Sequence, residues 1–211
     1  MYPVFLGVER PASFKRSHIL IRFGMLLVIL GIAATLWLVD LTFLSYTFGF
    51  IWLLGLTYLF TPLIVAVMIL RKGSQRFLAE DGPRIAGWLR GSLAFNAYLS
   101  VLSDSISTTE PSGLRLDVDF GGKPTLASAL LRLLFSIPSL LSLAVLSVAS
   151  IFVLGVIAIF VILREDYPRN LYDFQLALLR WQARLLSYHA SLVDQYPPFS
   201  LDGGKRLDEE Q

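Results

Sequence analysis

Polar and apolar positions fall into long blocks along this chain. Residues 19–39 hold one charge, Arg22, near their start; residues 41–70 hold none; residues 125–163 hold one, Arg132. A spanning helix takes about 20 predominantly apolar residues. As one helix, residues 19–70 would run roughly 78 Å, so the stretch must break. A break between Asp40 and Thr47 gives spans at about 19–39 and 48–70. Trp37, Tyr46 and Trp52 surround that turn, where interfacial aromatic residues collect. Residues 125–163 would run roughly 58 Å, again longer than an ordinary span. Two short spans at about 125–146 and 150–163 fit, with Pro138 inside the first. One tilted, kinked helix is the alternative.

Two segments between the apolar blocks carry a helical period. In residues 170–192, Leu171, Phe174, Leu178, Trp181, Leu185, Tyr188 and Leu192 recur at steps of three and four. That spacing makes one apolar stripe, with Asp173, Gln175, Arg180, Gln182, Arg184 and His189 on other faces. Such a helix suits a membrane surface or a seam between helices. Residues 83–103 carry a weaker version through Trp88, Phe95, Tyr98 and Leu102. If this pair of helices crossed the bilayer there would be six spans. Arg180 and Arg184 would then lie deep in lipid, which is costly.

Residues 114–120 alternate Leu114, Leu116, Val118 and Phe120 with Arg115, Asp117 and Asp119, a strand pattern. Residues 4–8 look similarly extended. The two segments either pair as a small β element or lie as extended tails over the helix bases. Residues 105–113 are rich in Ser, Thr, Pro and Gly and read as a linker. Residues 202–211 read as a polar tail.

The same order of features occurs twice. Val8-Glu9 matches Val118-Asp119, and Leu20-Ile21-Arg22 matches Leu130-Leu131-Arg132 at the same offset. Ile69-Leu70-Arg71 matches Ile162-Leu163-Arg164. Arg90, Tyr98 and Asp104 match Arg180, Tyr188 and Asp194. The expected architecture is an all-α polytopic membrane protein built from two tandem repeats, 1–104 and 114–201. Each repeat is a transmembrane helical hairpin plus an amphipathic helix on the cytoplasmic face.

Composition supports the membrane class. Of 211 residues, 55% are hydrophobic and 16% charged, where soluble domains average about 25% charged. A net charge of +2 gives no argument for nucleic acid. The absence of cysteine removes disulfides, thiolate metal sites, cysteine catalysis and cysteine lipidation. The first apolar block is too long for a signal-peptide core and is expected to be retained. With four spans, 16 of the 18 basic residues fall on one face, and the positive-inside rule puts both termini in the cytoplasm. The expected location is the bacterial inner membrane, multi-pass.

The segment Arg164-Glu165-Asp166-Tyr167-Pro168-Arg169-Asn170-Leu171-Tyr172-Asp173-Phe174 continues through Leu179-Arg180-Trp181. It closes on Asp194-Gln195-Tyr196-Pro197-Pro198-Phe199-Ser200-Leu201. This resembles the bacterial membrane family called domain of unknown function 4389, with its Tyr-Pro-Arg turn, Leu-Arg-Trp helix and closing Tyr-Pro-Pro-Phe. The resemblance covers residues 114–201. The first copy has Glu80-Asp81-Gly82-Pro83-Arg84 in place of the first turn and Asp104-Ser105-Ile106 in place of the second. The resemblance implies a membrane protein and brings no activity with it.

No Gly-x-Ser-x-Gly, His-Glu-x-x-His or phosphate-loop motif occurs. His18 and His189 are the only histidines, and their spacing does not call for haem. No catalytic, cofactor-binding or metal residues are assigned, and no cofactor is expected. Arg22 and Arg132, one turn into their helices, can snorkel to the surface or hold lipid phosphate. Candidate lipid or partner contacts are Arg22, Arg132, Arg164, Tyr167, Arg169, Arg180, Trp181, Arg184 and Tyr196. The functional expectation is a non-catalytic accessory or scaffold subunit of a larger membrane assembly. Its partners would be membrane lipid and other membrane subunits, with no nucleic acid. A lipid-binding or small-solute transport protein is the alternative.

Overall fold

The computed structural model describes residues 2–11, 13–39, 49–104, 114–199 and 201. The expected turn at 40–47, the linker at 105–113 and the tail at 202–211 lie outside the described residues.

The two alternating segments form an antiparallel ribbon. Strand β1 (Val4–Val8) pairs with β2 (Leu114–Val118) in the register Val4↔Val118, Leu6↔Leu116 and Val8↔Leu114. Val4, Leu6, Leu114 and Leu116 turn into the core, while Arg115 and Asp117 stay exposed. The period of two in the sequence is thus a one-sided ribbon packed on helices.

The helices are α1 (Arg16–Val39), α2 (Gly49–Lys72), a short α3 (Ser74–Arg76), α4 (Gly82–Leu99), α5 (Leu126–Phe135), α6 (Ile137–Arg164) and α7 (Arg169–His189). A π-helical turn, Phe77–Asp81, joins α3 to α4. Helix α5 starts with a reciprocal cap: the Ser128 N–H donates to Thr125 Oγ1 at 3.1 Å and the Thr125 N–H to Ser128 Oγ at 2.9 Å.

The expected hairpin in residues 125–163 is absent. The break falls at Ser136, which caps α5 and opens α6, and no break occurs near residues 147–150. Pro138 sits in the first turn of α6, where its missing N–H costs nothing. Helix α6 then runs unbroken for 28 residues to Glu165, which stops it in the left-handed conformation at φ 53°.

The all-α polytopic architecture of two hairpin repeats is therefore overturned. The chain is mostly helical with a two-stranded sheet, and among the described residues one helix, α6, is long and apolar enough to cross a membrane. Few residues along its apolar stretch are buried. Leu141, Val145, Ile151, Phe152, Ile159 and Leu163 all face outward. That outward apolar surface is what a membrane-associated helix presents.

Helix α7 also departs from its sequence pattern. The apolar stripe is buried at Leu178, Trp181, Leu185, Tyr188 and, beyond the helix, Leu192. Yet Gln175, Arg184 and His189, expected on solvated faces, are buried too. Helix α7 packs against α4, α5, α6 and β1, so it is the central helix of the core rather than a surface helix. Its polar side chains meet protein partners where the sequence pattern suggested water.

Candidate functional site

The polar groups of the interior converge on two helix C-termini. Helix α7 ends at Ala190, and Ser191 follows in the left-handed region at φ 58°. The Leu192 N–H returns to Ser187 O at 3.0 Å, closing the end of the helix. Arg132 of α5 reaches this end from outside. Its Nη1 donates to Tyr188 O at 2.7 Å and to Val193 O at 2.5 Å, and its Nη2 meets Asp194 Oδ1 at 2.5 Å. The guanidinium also lies 4.7 Å from the centre of the Tyr188 ring. A cation is favoured here because the carbonyls at a helix C-terminus carry partial negative charge. The fork of the guanidinium serves several acceptors at once.

Helix α4 ends in the same way. Val101 takes φ 62°, and the Leu102 N–H returns to Ala97 O at 2.9 Å. Arg22 of α1 donates to Ser103 O at 2.6 Å and to Asp104 Oδ1 at 3.3 Å. It lies 4.4 Å from the Tyr98 ring centre. His18 adds an Nδ1 contact to the same Asp104 oxygen at 3.1 Å. The Arg22 and Arg132 side chains are 5% and 4% exposed. Their guanidinium groups therefore fasten helix ends and are turned away from the surface.

The central pair of the ribbon receives one arginine from each of two helices. Arg180 Nε of α7 donates to Leu6 O at 3.0 Å, and Arg90 Nη2 of α4 to Leu116 O at 3.3 Å. Between α4 and α7, Asn96 Nδ2 donates to Gln182 Oε1 at 2.6 Å. Gln175 links α7 to the long helix: Ser150 Oγ donates to its Oε1 at 2.8 Å, and its Nε2 donates to Ser150 O at 3.2 Å.

The Tyr-Pro turns are aromatic clamps. Tyr167 is fully buried, edge-on to Phe14 at 5.3 Å and to Tyr172 at 5.2 Å. Arg10 Nη2 donates to Tyr167 O at 2.6 Å while its guanidinium lies over Tyr172. Burial pushes the Tyr172 phenol up to about 12 and raises Tyr167 further. At the second turn, Tyr196 stacks edge-on to Tyr188 and shares a 2.6 Å hydrogen bond with Ser139 Oγ. Trp181 is buried edge-on to Phe199.

Of the candidate contacts, Arg164 and Arg169 stand exposed on the two sides of the α6–α7 turn. Arg22, Arg132, Tyr167, Trp181 and Arg184 are buried, and Arg180 and Tyr196 are half-buried. Arg10, Ser136, Ser139 and Ser150 were not singled out by the sequence, and Gln175 was placed only on a polar face of its helix. Arg10 was hidden because it acts through a backbone carbonyl. Among the described residues no group of three or more His, Asp or Glu side chains is placed to hold a metal ion.

The fold and these clusters define a helical protein with an outward apolar helix and internally fastened polar groups. Residues 127–200 match the family described as Domain of unknown function (DUF4389). The match supports the family resemblance seen in the sequence over this part of the chain. It takes in nearly all of α5, then α6, α7 and the Tyr196-Pro197-Pro198-Phe199 turn, hence Arg132 with Tyr188, Val193 and Asp194. No curated protein and no solved structure gives a significant match.

Proposed function

We propose that this protein is a non-catalytic integral membrane protein, an accessory or scaffold subunit of a larger assembly in the bacterial inner membrane. The observation that carries the reading is the division between the two surfaces of α6. Its outward face is continuous apolar surface, while its inward face holds Ser139 and Ser150 in hydrogen bonds to Tyr196 and Gln175. Lipid is the solvent that tolerates such an outward face. Arg164 and Arg169 flank the end of α6 and favour the cytoplasmic side for it.

The matched arginine clusters also support a common origin for residues 1–104 and 114–201. In both, an arginine near a helix start meets a later helix end through a Tyr and an Asp six positions apart, Tyr98 with Asp104 and Tyr188 with Asp194. The first unit lacks the Tyr-Pro turns, so the turn tyrosines come from the second, and the first supplies Arg10 and Phe14 to the Tyr167 clamp.

The reading is tested by alkaline carbonate extraction of membranes, followed by native mass spectrometry of the detergent-purified chain. Retention in the pellet with a stoichiometric protein partner is expected. Release into the carbonate supernatant would sink the membrane reading. Retained lipid without any protein partner would favour a lipid-binding role instead.

A further inference from the structure

A second outward surface lies on α4. Its exposed side is marked by Arg84, Trp88, Ser92 and Phe95, spaced at steps of three and four. Trp88 is 84% exposed, the most exposed of the large hydrophobic side chains described. Leaving an indole in water forfeits the burial of a large apolar group. Tryptophan is instead enriched at membrane–water interfaces, where its apolar ring and N–H are both accommodated.

The surroundings fix where this face lies. Ile85, one turn before Trp88, packs with Met68 and Leu78 onto the cluster of Val65, Ala66, Ile69 and Phe77 at the end of α2. Helix α2 itself turns Phe60, Ile64, Val67 and Leu70 outward up to this point. Trp88 therefore stands at the edge where an apolar surface gives way to charge. Residues 71–88 carry four cations, Arg71, Lys72, Arg76 and Arg84, against two carboxylates, Glu80 and Asp81. Both carboxylates are engaged: Lys72 Nζ reaches Glu80 at 3.1 Å and Asp81 at 2.8 Å, and Arg84 Nη1 lies 3.6 Å from Asp81 while its side chain stays 77% exposed. Asp81 is buried, so the outward charge of this rim is positive.

We propose that this rim, Trp88 with Arg71, Arg76 and Arg84, seats the base of the protein on the anionic headgroup layer of a phospholipid bilayer. The inference deepens the membrane reading and rests on it. Trp88 acts as the depth marker and the arginines supply preference for anionic lipid, each contributing about fivefold near the surface.

The native chain has no cysteine, so single spin labels report position without background. The full chain carrying Trp88→Cys, and separately Phe152→Cys on the outward face of α6, is reconstituted in phosphatidylcholine vesicles with and without phosphatidylglycerol. Trp88 makes little internal contact, so its replacement leaves the fold intact. Collision with oxygen and with an aqueous nickel chelate then gives depth. The expected result is a label at 152 in hydrocarbon and a label at 88 at headgroup depth. Enrichment of phosphatidylglycerol around the protein should fall in Arg76→Gln/Arg84→Gln by about fivefold per arginine. A label at 88 in bulk water or in hydrocarbon, with 152 in hydrocarbon, overturns this inference alone. Unchanged phosphatidylglycerol enrichment in the double variant overturns it too. A label at 152 in water would overturn the membrane reading itself.

Discussion

Arg132 and Asp194 lie 62 positions apart and meet at 2.5 Å, with the Tyr188 and Val193 carbonyls on the same guanidinium. One side chain of α5 thus terminates α7. Asp194 is 43% exposed on its side chain, so the carbonyl bonds, which are buried, supply most of the stabilisation. Arg132→Gln should lower stability by about 2–3 kcal/mol through the loss of bonds to a charged donor. Lysine should rescue little, because it lacks the planar fork. Thermal unfolding in detergent followed by circular dichroism checks both; wild-type stability in Arg132→Gln would remove the cluster's structural role.

Gly122 serves the same cluster from the other side. It takes φ 101°, and a β-carbon there would collide with the Asp194 carboxylate. The Lys123 N–H donates to that carboxylate at 2.9 Å. Gly122→Ala should destabilise by about 1–3 kcal/mol, since strain and collision act together. Adding Asp194→Ala should recover part of the loss, as coupled neighbours are non-additive. A strictly additive double variant would count against the close approach.

Ser191 holds a left-handed conformation with φ 58°, and its buried Oγ has no hydrogen-bond partner. Glycine removes both penalties. Ser191→Gly should leave stability unchanged or raise it by about 1 kcal/mol. A marked loss in the melting temperature would show that the hydroxyl has a partner.

Tyr167 separates packing from hydrogen bonding. Its ring is fully buried between Phe14 and Tyr172, while its hydroxyl has no partner. Tyr167→Phe should therefore fall within about 1 kcal/mol of wild type, and Tyr167→Ala should cost about 3–5 kcal/mol. Equal losses in the two variants would refute the assignment.

Alkaline pH should loosen this clamp. Tyr172 ionises at about 12 in the fold, raised from 10.0 chiefly by burial. Between those values the unfolded chain releases a proton that the folded chain keeps, so stability falls as pH rises through this window. Below pH 10 the contribution is complete. Absorbance titration of phenolate, comparing wild type with Tyr172→Phe, should show one late-titrating group missing from the variant.

The legibility of the sequence depended on contrast. The ribbon could be read because Leu114 and Leu116 alternate with Arg115 and Asp117. The stripe on α7 could be read because Leu178, Trp181 and Leu185 keep helical spacing. Arg22 recurred as Arg132 and Asp104 as Asp194, but the sequence did not join arginine to aspartate, and it turned the arginines toward the surface or lipid phosphate rather than toward helix ends. Residues 125–163 gave no comparable signal. They are apolar throughout, so nothing in the pattern distinguished a break at Ser136 from one near residue 147, and Pro138 read as a kink instead of a start. Gln175 and Arg184 were misplaced because a polar position on an amphipathic helix was equated with water. In this fold their neighbours are other helices.

The ribbon sets a timetable for synthesis. Val4 cannot meet Val118 until roughly 110 further residues have been made. At about 5–20 residues per second the first strand waits on the order of 5–20 s after translation. During that interval its hydrogen-bonding edge is open and Leu6 has no Leu116 to face. The apolar segments that lie between the strands are made in the same interval. Helices α1 to α4 are therefore made before β2, while α5 to α7 follow it, so the ribbon can close before α7 arrives to bring Arg180 onto Leu6 O.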